Sequence, residues 1–522
     1  MSLPDHLQGL LTPAAFPHPV AAVEVVETQL SWVLLAGERV YKIKRPVVYP
    51  FVDFSTLERR RHFCLEELRL NRRFAPELYL EVCSISGSGE QARIGGPGPA
   101  TEYAVVLRRF DRKEELDALV RDGRISAAEL ATFGKRLADI HKSLPRSTGD
   151  DAGGQPAAIA AAITRNVAEC ADAAGVFGGA ARVAEVGRSL ADECGRLQPA
   201  LARRMREGCV RECHGDLHLS NVVRMNGELT PFDCLEFEPA FRHIDVAQDV
   251  AFMTADLHGY DQPRLATAFL NGWLTATGDY DACTVLRLYE ADRSVVRAKV
   301  LALLARATPS PTPPMFQQYA RRHAGYVAVA EQALAPGAPL CIMMHGLPGS
   351  GKSWLAARLA AELAAVHISS DVERKRGAGL QPLDPSHSAT GQGLYTAAQT
   401  ELVYERLSQC AAQVLSGQRT VIVDANFGLQ QQRAVLTARC RELGLRVCVV
   451  SCDAPTPVLL ARIQSRQTHA AESEAGAAVL WQQMERRELI DAAEGLMIVV
   501  ADTSQPDVVQ RTCEALRRQV VW

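Results

Sequence analysis

The sequence is short of several things, and each shortage removes a class of protein. It has no excess of charge of one sign: 57 basic against 60 acidic residues leave a formal net charge of −3 over 522 residues. That balance gives no electrostatic ground for tight non-specific binding to DNA, although a local basic groove stays open. Long apolar runs are also missing. Nothing approaches the ~20 apolar residues that a membrane helix requires, and the alanine-rich stretch 157–163 soon meets Arg165. Met1 to Val20 carries prolines but no basic segment leading into an apolar core, so no signal peptide is read there. The expected location is the cytoplasm, with no membrane partner. There is no internal repeat at 20–50 residues. The 14 cysteines are scattered, mostly in apolar runs. Cys209/Cys213 and Cys448/Cys452 share a C-x-x-x-C spacing and His214 follows the first pair, but no second pair stands ready to complete a zinc knuckle. The cysteines read as buried reduced thiols.

What is present describes a globular, multidomain chain, with 47% hydrophobic and 22% charged residues. The clearest break in composition is Ala333 to Leu340, where two prolines and a glycine stop a helix ahead of a strand. It predicts a first domain over 1–332, a linker at 333–339 and a second domain over 340–522. The Pro-rich piece 308–314 lies between helical patterns and is placed as a loop inside the first domain. In that domain 29–44 reads as two strands turning at 36–39, 55–74 as a charged helix, 101–110 as a strand and 125–143 as a helix, followed by alanine-rich helix to about 207. A β-rich section followed by a helical one predicts two lobes and a cleft. In the second domain strands at 340–345, 366–369, 420–424, 446–451 and 496–501 alternate with helices. That alternation predicts a doubly wound parallel sheet, with ligands beyond the carboxyl ends of its strands. The fold class is thus α/β and α+β in one multidomain chain.

The second domain opens on Gly346-Leu-Pro-Gly-Ser-Gly-Lys352-Ser353, between an apolar strand and a helix. Gly346, Gly349, Ser350 and Gly351 let the backbone wrap a phosphate chain, the helix N-terminus offers free N–H groups, Lys352 reaches the β- and γ-phosphates, and Ser353 holds Mg²⁺. Thr420-Val-Ile-Val-Asp424 is an apolar strand ending in a carboxylate that acts on the Mg²⁺ shell, or else a capping residue. Asp371 ends the second strand with Arg374 one helical turn on. Asp371 reads as the base that takes a proton from an acceptor hydroxyl and Arg374 as an anion binder, against the alternative of an N-cap. Arg462 and Arg466 stand one turn apart on a later helix and suit a lid over the nucleotide, or a solvated basic face. With the D-x-x-R step and the R-x-x-x-R pair, the second domain resembles the small P-loop kinases that include polynucleotide 5′-kinases and zeta-type toxins.

A second phosphate chemistry is written in the first domain. His214-Gly-Asp216-Leu-His-Leu-Ser-Asn221 precedes the turn dipeptide Asn226-Gly227, and Asp233 follows in Pro-Phe-Asp-Cys-Leu-Glu236-Phe. D-x-x-x-x-N with a further carboxylate after a short hairpin is the catalytic-loop pattern of protein kinases. In that pattern Asp216 accepts the acceptor's proton while Asn221 and Asp233 hold Mg²⁺. The H-G-D form resembles aminoglycoside phosphotransferases and related small-molecule kinases. The resemblance implies a strand lysine paired with a helix glutamate around the α- and β-phosphates. Lys42 and Lys44 lie on one face of a strand, and Glu66 and Glu67 on a helix; Lys42 with Glu67 is the favoured pair. Asp245 and Asp249 are expected to brace the segment. Two features depart from the pattern. No G-x-G-x-x-G precedes the lysines, and D-C-L-E-F replaces D-F-G, with Glu236 either an extra ligand or a salt-bridge partner. The whole chain resembles bacterial proteins that fuse an aminoglycoside phosphotransferase-like domain to an ATP-binding protein.

The expectation is an ATP-dependent kinase with two Mg²⁺·ATP sites, each passing a γ-phosphate to a hydroxyl of a small molecule. Two alternatives stand beside it: a nucleotide-gated regulator with one inactive half, and a P-loop half that phosphorylates nucleic-acid 5′-hydroxyls. Acceptor specificity is assigned to the helical insert 145–207 and the loop 375–395.

Overall fold

The computed structural model describes the chain apart from residues 1–2, 50–51, 148–151, 309–311, 383, 386–387, 389–391, 468–475 and 521–522. It divides into two compact units that interleave in sequence: Met1–Glu129, Asp139–Tyr260 and Asp292–Tyr326 form one, and Leu130–Ala138, Asp261–Ala291 and Val327–Trp522 form the other. The boundary expected at 333–339 cuts the chain once. The compact units instead place the helical stretch 261–291 with the P-loop half.

The first unit is built on a six-stranded sheet in the order Val23–Glu27, Ser31–Ala36, Arg39–Lys44, Ala100–Arg108, Tyr79–Ser86, Arg93–Ile94, antiparallel throughout. Alternation assigns each residue to a face. Leu34, Tyr41, Ile43, Ala104 and Val106 pack with the N-terminal Leu7 and Leu10. Val40, Val105 and Leu107 pack with Cys64 and Leu68 of the helix Leu57–Asn71. Lys42 and Lys44, in phase with Val40, therefore stand on the helix side. That helix starts at Thr56, whose hydroxyl accepts from Arg59 N. It buries a polar stripe, Arg60, Glu67 and Asn71, against the sheet.

The second unit holds a five-stranded parallel sheet in the order Val366–Ser369, Val421–Asp424, Cys341–His345, Val447–Asp453, Met497–Asp502. All five expected strands form. The P-loop strand Cys341–His345 is central and buried at every position, as a strand covered on both faces must be. The chain leaves it in one direction for the edge strand Val366–Ser369 and later crosses back to Val447–Asp453, so the switch in strand order lies beside its carboxyl end. Helix Lys352–Leu363 closes one face through Leu355, Ala356 and Leu359, which pack on Ile342, Ile422 and Val450. The cysteines are free thiols, nearly all buried, as expected.

Candidate functional site

The P-loop owes its shape to three left-handed glycines. Gly346, Gly349 and Gly351 have φ of 142°, 80° and 80°. A Cβ at Gly346 would lie 2.5 Å from the Cys452 carbonyl oxygen and one at Gly349 2.6 Å from that of Leu459, so backbone, not a yielding side chain, excludes any other residue. Ser350 Oγ is buried in this loop with no hydrogen-bond partner among the described residues. Lys352, at the start of the helix, donates to Leu347 O at 3.0 Å. Asp424 pairs in register with Met344 and is buried at the strand's carboxyl end. Burial works to raise its pKa, but the His367 ring at 3.4 Å, the Ser353 hydroxyl and the Lys352 charge outweigh it and hold the carboxylate below its usual range. The serine hydroxyl and the aspartate supply the hard oxygens that Mg²⁺ prefers. The orphaned serine and the glycine cradle likewise fit a phosphate chain.

A cavity of about 1120 Å³ gathers Gly349, Gly351, Lys352, Ser353 and Asp424 together with Asp371, Arg374 and Arg462. Asp371 and Arg374 ride on the short helix Ser370–Gly377, which Ser369 caps. Arg374 donates to Leu394 O at 2.8 Å and to Thr400 Oγ1 at 3.4 Å, with its guanidinium 5.1 Å from the Tyr395 ring centre. Arg462, expected in a lid, is held to the P-loop and to Thr503 just beyond the last strand. Its Nη1 donates to Gly349 O at 3.3 Å and Thr503 Oγ1 at 2.9 Å, and its Nη2 to Thr503 O at 2.9 Å. Its guanidinium thus ties the P-loop to Thr503 while lining the same cavity. The side chain of Arg466, and part of the loop 375–395, lie outside the described residues.

In the first unit a two-residue hairpin does the assembling. Val222–Met225 and Glu228–Pro231 pair across Asn226 and Gly227, at φ of 51° and 82°, as a tight hairpin turn with both central residues left-handed demands. Asn221 stands just before the hairpin and Asp233 just after it, so both return to one end, where Phe232 N donates to Asn221 O at 2.9 Å. Asn221 Nδ2 donates to Asp216 Oδ2 at 3.1 Å. Burial pushes the Asp216 carboxyl up, but His218 and Arg297 more than offset it and hold it well below the usual carboxylate range. Asp233 has φ of 63°, a left-handed backbone uncommon outside glycine, and its N–H donates to Tyr79 Oη at 3.1 Å. The side-chain oxygens of Asn221 and Asp233 again suit Mg²⁺.

Both lysines reach Glu67. Lys42 Nζ lies 2.9 Å from Glu67 Oε1 and 2.5 Å from Asp233 Oδ1; Lys44 Nζ lies 2.7 Å from Glu67 Oε2 and also pairs with Glu236. Glu66 turns away to Arg69 at 2.8 Å. Burial and the neighbouring Glu67 push the Glu236 carboxyl up in spite of Lys44, while the two lysines hold Glu67 low against its burial. Asp249 accepts from His214 N and Gly215 N at 2.9 Å each and so fixes the loop. Asp245 instead pairs with Arg204 and caps its own helix at Ala247 N. In place of a glycine-rich loop, the hairpin of Val23–Glu27 and Ser31–Ala36 closes at Thr28, whose hydroxyl accepts from Ser31 N at 2.9 Å.

Comparisons with known proteins can be set against this geometry. A family model described as AAA domain matches residues 341–490. The uncharacterized protein Rv2004c of Mycobacterium tuberculosis (strain H37Rv) and its Mycobacterium bovis counterpart Mb2027c are each 30% identical over 452 residues, covering 86% of this chain and 88% of theirs. The chain belongs to their family. Among solved structures, a gluconokinase from Sinorhizobium meliloti 1021 is 21% identical over 35% of this chain and 95% of its own, with a TM-score of 0.27. A choline kinase from Cryptosporidium parvum Iowa II is 11% identical over 60% of this chain and 91% of its own, with a TM-score of 0.36.

Several residues at the two candidate sites of this family member carried no signal in the sequence. Thr503 donates to Ser350 O at 2.7 Å and ties the last strand's loop to the P-loop. Asn426 and Arg486 line the cavity. Asp256 accepts from Leu219 N at 2.9 Å and pairs with Arg297 at 3.1 Å, fixing the loop between Asp216 and Asn221 from below.

Proposed function

We propose that the protein is a phosphotransferase with two Mg²⁺·ATP sites, one in each unit, each delivering a γ-phosphate to a hydroxyl of a small molecule. The observation that carries this reading is the single cavity in which Lys352, Ser353 and Asp424 share space with Asp371 and Arg374. One set of groups handles a phosphate chain, and the other set suits an acceptor. In the second unit the loop amides and Lys352 hold the phosphates, Ser353 and Asp424 hold the metal, and Asp371 takes the acceptor's proton. Arg374 balances charge on the acceptor side. Bound Mg²⁺ would neutralise charge on the phosphates as it passes to the leaving oxygen. In the first unit Asp216, kept ionised, is the proton acceptor, Asn221 and Asp233 are the metal ligands, and Lys42, fixed by Glu67, takes the phosphates.

A second reading is favoured by one contact. Lys42 and Asp233 lie 2.5 Å apart and neutralise each other, as in a first unit that binds nucleotide without turning it over. Mg²⁺·ATP turnover over a panel of polyols, sugar acids, amino alcohols and 5′-hydroxyl oligonucleotides separates the two. Two active sites predict that Lys352→Ala and Asp216→Ala each remove a different subset of products. If Lys352→Ala removes every product and Asp216→Ala none, the first unit is a sensor. If neither variant removes any, the phosphotransferase reading fails.

A further inference from the structure

Helix Ser370–Gly377 is only 8 residues long, too short to hold its place by its own hydrogen bonds. Asp371 and Arg374 occupy one side of it, toward the cavity. Glu373 and Arg376 fall on the opposite side, and there they meet the stretch 261–291, which the sequence attaches to the first domain but which packs in the second unit. Tyr280 Oη donates to Glu373 Oε1 at 3.2 Å, and both residues are buried. Arg376 donates to Glu373 Oε1 at 3.2 Å and to the carbonyls of Thr275 and Ala276, the last turn of the helix Pro263–Thr277, where unpaired carbonyls and the helix dipole favour a cation. A Cβ at Gly278, which ends that helix in a left-handed conformation, would lie 2.7 Å from Arg376 Nε, so the glycine keeps the seat open. Arg406 reaches the same point, 3.6 Å from Glu373 Oε2.

The strand that leads into the short helix is gripped in the same way. Val366–Ser369 is the edge of the parallel sheet. Asn271 lies along it: its Oδ1 accepts from His367 N at 2.9 Å and its Nδ2 donates to Ala365 O at 3.0 Å. One side-chain amide thus satisfies an edge donor and acceptor as a neighbouring strand would.

We propose that Asn271 and Tyr280 are positioning residues of the P-loop site, which with Arg376 clamp the edge strand and short helix and so set Asp371 and Arg374 against the phosphate-binding loop. The inference deepens the phosphotransferase reading and rests on it for its kinetic consequence. Its geometric content, that the clamp orders 366–377, stands separately. The test uses the full chain with Tyr280→Phe and Asn271→Leu. Two readouts are taken: the Lys352-dependent part of slow Mg²⁺·ATP hydrolysis, with water as acceptor, and hydrogen exchange of the backbone amides. The clamp predicts that each variant lowers kcat by about three- to tenfold while the KM for ATP stays within about twofold. Exchange should quicken over 366–377 and stay unchanged over the P-loop helix 352–363. Unchanged exchange at 366–377, or equal quickening over both segments, overturns the clamp, as does a KM for ATP that rises in step with any fall in kcat. If Lys352→Ala removes no hydrolysis, the phosphotransferase reading falls for the P-loop site, and the exchange comparison alone still decides the clamp.

Discussion

Lys42 and Lys44 both reach Glu67, yet their surroundings assign them opposite consequences. Lys44 is 1% exposed and its partners Glu67 and Glu236 are 0% and 7% exposed. Lys42 is 19% exposed and touches Asp233, which is 44% exposed. Replacing Lys44 by methionine keeps the apolar stem but strands a carboxylate in the interior, which typically costs about 3–5 kcal/mol. Glu236 softens that penalty in acid, because burial and Glu67 already raise its pKa and it can neutralise itself by taking a proton. Lys42→Met leaves Glu67 paired with Lys44 and Asp233 open to solvent, so the stability loss should be about 1 kcal/mol or less. On the proposed function it also removes the ammonium that would face the phosphates, a charged contact of about 1.5–3 kcal/mol, or roughly 10- to 100-fold in ATP affinity at that site. Urea unfolding at pH 7.5 and pH 5.5, beside ATP titration with the second site disabled by Lys352→Ala, reads both quantities. The expected pattern is a destabilised Lys44→Met protein that recovers part of its loss in acid, and a stable Lys42→Met protein whose ATP affinity at the first site is roughly 10- to 100-fold weaker. A stable Lys44→Met protein that has lost ATP, paired with an unstable Lys42→Met protein that retains it, would refute the assignment.

Three further outcomes follow from particular contacts. Gly349→Ala must hold a left-handed backbone at φ of 80° with its Cβ against the Leu459 carbonyl, a strain of about 1–2 kcal/mol before any loop shift; ATP affinity at the second site should fall at least about tenfold while the first site, titrated in the same protein, is unchanged. Thr503→Val removes the hydroxyl that joins Ser350 O to Arg462; thermal unfolding should show a loss of about 1–3 kcal/mol, accompanied by weaker ATP binding at the second site. His345 is buried with its pKa lowered to about 4, chiefly by burial and then by the charge of Arg487. Because the folded value lies below the unfolded one of ~6.5, its contribution is present in full above pH 6.5 and is lost as the pH falls toward 4, by about 3 kcal/mol in total; a His345→Gln protein should show a flatter stability profile across that window, and an unchanged profile would remove His345 from the account.

The second unit was legible because its signals are local. Parallel strands covered on both faces read as unbroken apolar runs, as in Cys341–His345 and Val421–Asp424, and the phosphate loop is one contiguous motif. The return of Asn221 and Asp233 to one end of the hairpin was legible for a related reason: a two-residue Asn-Gly turn fixes the register, so their separation in sequence dictates that both lie at that end. Lys42 and Lys44 could not be told apart, since strand periodicity puts both on one face and what separates them is contact with residues nearly 200 positions away. Arg462 shows the same limit. Helical spacing gave its face, whereas its commitment to Gly349 and Thr503 depends on how three distant segments pack. The helices of 261–291 were placed by their neighbours in sequence; an apolar helix face announces that it is buried but not in which core.

The most direct test of two nucleotide sites in one chain is the stoichiometry of a non-hydrolysable Mg²⁺·ATP analogue, measured by calorimetry on the wild type, Lys42→Met, Lys352→Ala and the double variant. At ligand concentrations that fill only the unweakened sites, two sites predict two, one, one and zero bound nucleotides per chain. One bound nucleotide in the wild type, lost with Lys352→Ala and untouched by Lys42→Met, would contradict the account and leave the first unit without a nucleotide.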